Sequence, residues 1–67
     1  MAIRVRILER DTVVELNIDK VTVGELLKML NLAASENVVL KGKTILTEDD
    51  VVVDGEEVVV FTVKSGG

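Results

Sequence analysis

The stretch Glu57-Val58-Val59-Val60-Phe61-Thr62-Val63 (EVVVFTV) is the most apolar strand-like run in the chain, and it leads directly into Lys64-Ser65-Gly66-Gly67. A terminal strand this apolar belongs at the centre of a sheet rather than at an edge. It then needs neighbours from earlier in the chain. Residues 3–8, IRVRIL, alternate apolar and basic, which is the signature of a half-buried strand with Ile3, Val5 and Ile7 turned inward. If the last strand lies beside this first one, the two run parallel, and a helix between them supplies the right-handed crossover that such a pair requires. In the last strand, alternation puts Val58 and Val60 on the core side, opposite the outward Glu57, and turns Val59, Phe61 and Val63 away from the helix.

The middle of the chain has room for that helix. Glu9-Arg10-Asp11-Thr12 is a polar segment short enough for a hairpin turn, and residues 13–18 alternate again with Val14, Leu16 and Ile18 inward. The period then changes. Thr22-Val23-Gly24-Glu25 is a T-x-x-E capping box, in which the threonine hydroxyl and the glutamate carboxylate each satisfy an unpaired amide at a helix start. At 100° per residue Val23, Leu26, Leu27 and Leu30 share one face, with Glu25 and Lys28 opposite, and Asn31 tolerates the left-handed conformation of a helix end. Residues 37–41 and 44–46 read as two strands around Lys41-Gly42-Lys43, residues 47–50 as a turn or a single helical loop, and Asp54-Gly55 as a turn. The order β-β-α-β-β-β, with a mixed sheet of four to five strands and one helix on one face, predicts an α+β domain of the β-grasp type, the architecture of ubiquitin. Residues 1–63 are expected to form that domain and residues 64–67 a flexible tail.

Composition narrows the function. The chain has 67 residues, 48% hydrophobic and 30% charged, which predicts one small globular domain. It contains no Cys and no His, so neither a disulfide nor a zinc site can support a core that is marginal at this size. A net charge of −4, one Phe and no Tyr or Trp argue against nucleic acid, which calls for basic patches and aromatic platforms. No apolar run approaches the roughly 18 residues of a membrane span, and Met1 leads straight into the alternating strand with no signal-peptide core. The expectation is a cytoplasmic monomer. Asp49, Asp50 and Asp54 do not match the Ca²⁺-loop pattern D-x-[DN]-x-[DN]-G, so no metal site is expected.

Three stretches carry a family likeness that covers almost the whole chain. VTVGELLKML (residues 21–30) resembles the helix entry of the ThiS/MoaD-type sulfur carriers. VVLKGKTIL (residues 38–46) is similar to their central hairpin, although that family often has Asn before the glycine where this chain has Lys41. DGEEVVVFTVKSGG (residues 54–67) resembles their last strand and diglycine end, and it is the most specific of the three. The family frequently carries Pro between the aromatic residue and the glycines; this chain has Thr62 and no proline.

The resemblance implies a carrier and not an enzyme. A C-terminal carboxyl, with a pKa of about 3.3–3.7, is ionised at neutral pH and resists nucleophilic attack until it is joined to AMP. Gly66 and Gly67 lack Cβ atoms and can pass through a channel too narrow for side chains. Residues 64–67, fully extended, reach about 13–14 Å into it. An E1-like adenylating enzyme would supply ATP and Mg²⁺, neither of which this chain binds itself, and Gly67 would then take sulfur from a donor as a thiocarboxylate. A sulfur-accepting enzyme would use it in thiamine, molybdopterin or tRNA-thiolation pathways. Val59, Phe61 and Val63, beside Arg4 and Arg6, with Lys64 and Ser65 leading to the glycines, are the expected contacts for the adenylating enzyme. On that outer face two readings stay open: an exposed docking stripe, or a core covered by residues 47–53. The acidic cluster of Glu48, Asp49, Asp50, Asp54, Glu56 and Glu57 reads as a solvated rim or a steering field. Three other functions share these features: a ubiquitin-like modifier joined to lysines through Gly67, the small subunit of molybdopterin synthase, and an inert binding module.

Overall fold

In a computed structural model, which describes residues 1–63, the alternating segment forms β1 (Ile3–Ile7), with Ile3, Val5 and Ile7 buried and Arg4 and Arg6 exposed. The strand stops one residue earlier than its alternation predicts. Leu8–Arg10 form a single 3₁₀ turn closed by the Asp11 amide on the Leu8 carbonyl (3.2 Å), and Asp11 takes a left-handed φ of 49°. An aspartate tolerates that conformation better than most residues. The chain returns as β2 (Thr12–Leu16), antiparallel to β1 with Val5 opposite Val14.

β3 (Lys20–Thr22) runs into α1 (Val23–Met29). Thr22 caps the helix as its sequence predicts, its Oγ1 accepting from the Glu25 amide at 3.2 Å. The reciprocal half of the box is not made: Glu25 is exposed. The first two helical amides go to the acidic turn: Val23 N–H donates to the Asp50 carbonyl (2.9 Å) and Gly24 N–H to the Glu48 carbonyl (3.0 Å). The free amides of a helix start thus bond to backbone from another part of the chain, which welds residues 48–50 to α1. At the other end Asn31, at φ 60°, forms a Schellman cap in which Leu32 N–H bonds the Leu27 carbonyl (2.8 Å) and Asn31 N–H bonds the Lys28 carbonyl (3.0 Å).

A second 3₁₀ turn, Ala34–Glu36, leads to β4 (Asn37–Lys41), β5 (Thr44–Leu46), β6 (Val51–Val53) and β7 (Glu57–Thr62). Gly42 (φ 63°) opens the two-residue β4–β5 hairpin, the position where such turns favour glycine. The strand order is β2-β1-β7-β4-β5. β7 is therefore central and runs parallel to β1, with Val5 opposite Val58 and Ile7 opposite Val60, and antiparallel to β4, with Val39 opposite Val60. The molecule is an α+β domain with a mixed five-stranded sheet and one helix.

β3 and β6 form a small antiparallel ribbon of their own, with Val21 opposite Val52. The sequence pattern does not announce it, because three residues are too few to display a period. Its role is to close the core. Val21 and Val52 are 6% and 0% exposed, and they join Ile3, Val5, Ile7, Val23, Leu26, Leu27, Val39, Val58 and Val60 in one cluster between helix and sheet. Val14, Leu16 and Ile18 pack around its margin as their alternation predicts.

Candidate docking face and chain exit

Register decides which side chains meet on the sheet face away from the core. Arg6 of β1 lies opposite Val13 of β2 and Val59 of β7, Val59 lies opposite Leu40 of β4, and Leu40 lies opposite Ile45 of β5. One row of outward residues thus crosses all five strands. A second row adds Phe61 opposite Val38. Val13 and Ile45 are exposed (48% and 66%), and Val59, Phe61, Val38 and Leu40 are half-buried, lying on strands with a neighbour on each side. The segment 47–53 does not cover them. Its backbone is bonded to the start of α1, and its Val52 sits in the core, so it lies on the helix side of the sheet. An exposed contiguous apolar face is the kind of feature that makes a candidate contact surface.

The two arginines are placed differently. Arg4 donates through Nη2 to Glu15 Oε2 (3.1 Å) on the neighbouring strand. Both partners are largely in water, and the pair adds little to stability. Arg6 forms no ion pair among the described residues and stands between Val13 and Val59, where its charge borders the apolar row. Val63 is 48% exposed just past the end of β7, and its N–H donates to the Glu36 carbonyl at 2.7 Å. Lys64, Ser65, Gly66 and Gly67 lie outside the described residues. The candidate set from sequence therefore gathers around Arg6, Val59 and Phe61, with Arg4 drawn toward β2. Val38, Leu40 and Ile45 were not legible as members of this face. The run NVVLK does not alternate, so only its pairing with β7 reveals which side chains face outward.

At the opposite end of the sheet, the acidic residues hold turns together. Asp50 accepts from the Thr47 amide (2.7 Å) and hydroxyl (3.2 Å). Glu56 accepts from the Val53 amide (2.8 Å) and pairs with the Lys41 ammonium. The Lys41 hydrogen bond first, then the Val53 amide and the Lys41 charge, hold the Glu56 carboxyl below its ordinary value of 4.5. Among the described residues no three acidic, histidine or cysteine side chains are grouped as metal ligands would be, and no helix is long and apolar enough to cross a membrane. No protein-family model matches the chain, and no curated protein matches it.

Proposed function

We propose that the chain is a β-grasp (ubiquitin-like) sulfur carrier of the ThiS/MoaD type. Its Gly67 carboxylate attacks the α-phosphorus of ATP in an E1-like adenylating enzyme, with pyrophosphate as leaving group. The acyl adenylate then takes hydrosulfide from a sulfur donor, AMP departs, and the resulting thiocarboxylate passes its sulfur to an accepting enzyme of thiamine, molybdopterin or tRNA-thiolation chemistry. The carrier works as a cytoplasmic monomer and brings no cofactor of its own. ATP and Mg²⁺ belong to the adenylating enzyme.

The observation that carries this reading is the position of β7. β7, which the sequence follows with Val63-Lys64-Ser65-Gly66-Gly67, is the central strand, parallel to β1, and its outward residues Val59 and Phe61 lie in an apolar face, bordered by Arg6, that residues 47–53 do not cover. An enzyme that grips this face holds the rigid sheet a few residues upstream of the reacting carboxylate. Such a grip is how a short terminus can be delivered to a fixed point without a large entropic cost.

Intact mass spectrometry of the protein from its own cell tests the reading, and the same measurement reads whether the mature chain ends at Gly67. Replacement of one oxygen by sulfur at that terminus is the expected result. Gly-Gly remnants on the lysines of other proteins would instead make the chain a modifier. A carboxylate that never changes, together with no effect of deleting Gly66 and Gly67 in the cell, would leave only a binding module.

A further inference from the structure

β7 outruns its parallel neighbour. The last β1–β7 pair is Ile7 with Val60, and beyond it β1 gives way to the 3₁₀ turn Leu8–Arg10. On that side Thr62 has no strand beside it, and a side chain takes the vacant place: the Thr62 hydroxyl meets the Glu9 carboxylate. On the other side Thr62 lies opposite Asn37, the first residue of β4, and its Oγ1 is 3.0 Å from Asn37 Oδ1. The Asn37 amide is itself oriented, since Nδ2 donates to the Ala33 carbonyl at 2.7 Å, which leaves Oδ1 aimed at Thr62. One residue further on, the Val63 N–H donates to the Glu36 carbonyl at 2.7 Å. The second 3₁₀ turn, Ala34–Glu36, supplies that carbonyl.

Two single-turn 3₁₀ helices, one adjoining each strand that flanks β7, therefore close on the end of the central strand. The threonine hydroxyl has one proton and two acceptors. The charged carboxylate takes the larger share, because charge-assisted bonds are the stronger. Strand ends otherwise fray, since their last residues have few partners. Here the last two described residues, Thr62 and Val63, are tied at three points, to Glu9, Asn37 and Glu36.

We propose that Thr62, held between Glu9 and Asn37, is a positioning residue that fixes the heading at which the backbone leaves the sheet and so raises the fraction of molecules presenting Gly67 correctly to the adenylating enzyme. The proposal rests on the carrier reading above and adds to it the device that aims the terminus. Its kinetic consequence follows from population arithmetic. If only a fraction of free molecules carries the right heading, apparent affinity falls in proportion to that fraction, while the rate after docking, set inside the enzyme, stays the same.

The test compares Thr62→Val, which keeps the shape and removes the hydroxyl, with Thr62→Ser, which keeps the hydroxyl, and Glu9→Ala with Glu9→Gln, whose amide still bonds to Thr62. In the free protein, hydrogen exchange of the Val63 amide is expected to speed up about two- to tenfold in Thr62→Val and Glu9→Ala, the loss of about one net hydrogen bond. The Ser and Gln variants are expected to stay near wild type. Equal Val63 exchange in all four variants would overturn the device. In ATP–pyrophosphate exchange with an E1-like enzyme from the same cell, Thr62→Val is expected to raise KM by about two- to tenfold with kcat unchanged. A KM unchanged while Val63 exchange rises would overturn its role in presentation. Failure of the wild-type chain to support exchange with any such enzyme would sink the carrier reading instead, and the Val63 measurement would still decide whether the collar exists.

Discussion

Single residues carry several of the decisive contacts in this small domain. Thr22 is the clearest: its hydroxyl accepts the Glu25 amide at the start of a helix of only seven residues, which has no length to spare. Thr22→Ala is expected to cost about 1 kcal/mol and to lower the melting temperature by about 4–8 °C, while Thr22→Ser keeps both, as thermal melts followed by circular dichroism will read. Glu56 makes the pH response local. Its carboxyl is lowered in the fold and ordinary in the unfolded chain, so its contribution is complete above about 4.5 and is lost as pH falls through the depressed folded value. Urea midpoints measured from about pH 7 down to about pH 3 are expected to separate wild type from Glu56→Gln at the upper end and to bring the two together at the lower. A gap that stays constant across that range would remove Lys41 and the Val53 amide as its cause.

At the scale of elements, the two faces of β7 divide the work. Val58 and Val60 are fully buried against the helix, and Val59 and Phe61 face the other way. Val60→Asp places a charge in the core with no partner and is expected to leave the chain unfolded, because the cost of several kcal/mol approaches the whole stability of a domain this size. Val59→Thr, nearly the same shape and half in water, is expected to melt within a few degrees of wild type. If both variants fold, the inward and outward assignments along β7 are wrong.

The same division explains what could be read from sequence. β1, α1 and the central position of β7 were legible, because strict alternation in IRVRI, the spacing of Val23, Leu26 and Leu27, and an unbroken apolar run each admit few packings. The ribbon of β3 and β6 was not, since KVT and VVV are shorter than any period, and the Asp50 and Glu48 carbonyls that take the first two helical amides could be placed there by no local pattern. The breadth of the outward face was hidden for a different reason. Leu40 and Ile45 join Val59 only through register between distant strands. The collar at Thr62 likewise depends on a partner 53 residues away.

At the scale of the whole molecule, the proposed carrier role sets the folded body against the end of the chain. On the carrier reading, Gly67→Val is expected to leave the melting temperature unchanged and to abolish ATP–pyrophosphate exchange. A normal exchange rate would remove the narrow-channel argument, and a fall of many degrees would make the end part of the fold. Arg6→Glu reverses the charge that borders the apolar row without touching a buried group. It is expected to raise KM for the adenylating enzyme at least tenfold with little change in stability, the pattern of a docking contact.

The central position of the last strand also has a consequence for biosynthesis. A ribosome that stalls before residue 57 releases two hairpins, β1–β2 and β4–β5, each with an unsatisfied inner edge and no strand to join them. Such a fragment cannot assemble the core, and proteases will find it. Only a chain translated through residue 62 can complete the sheet, so the fold itself requires that translation come within a few codons of Gly67.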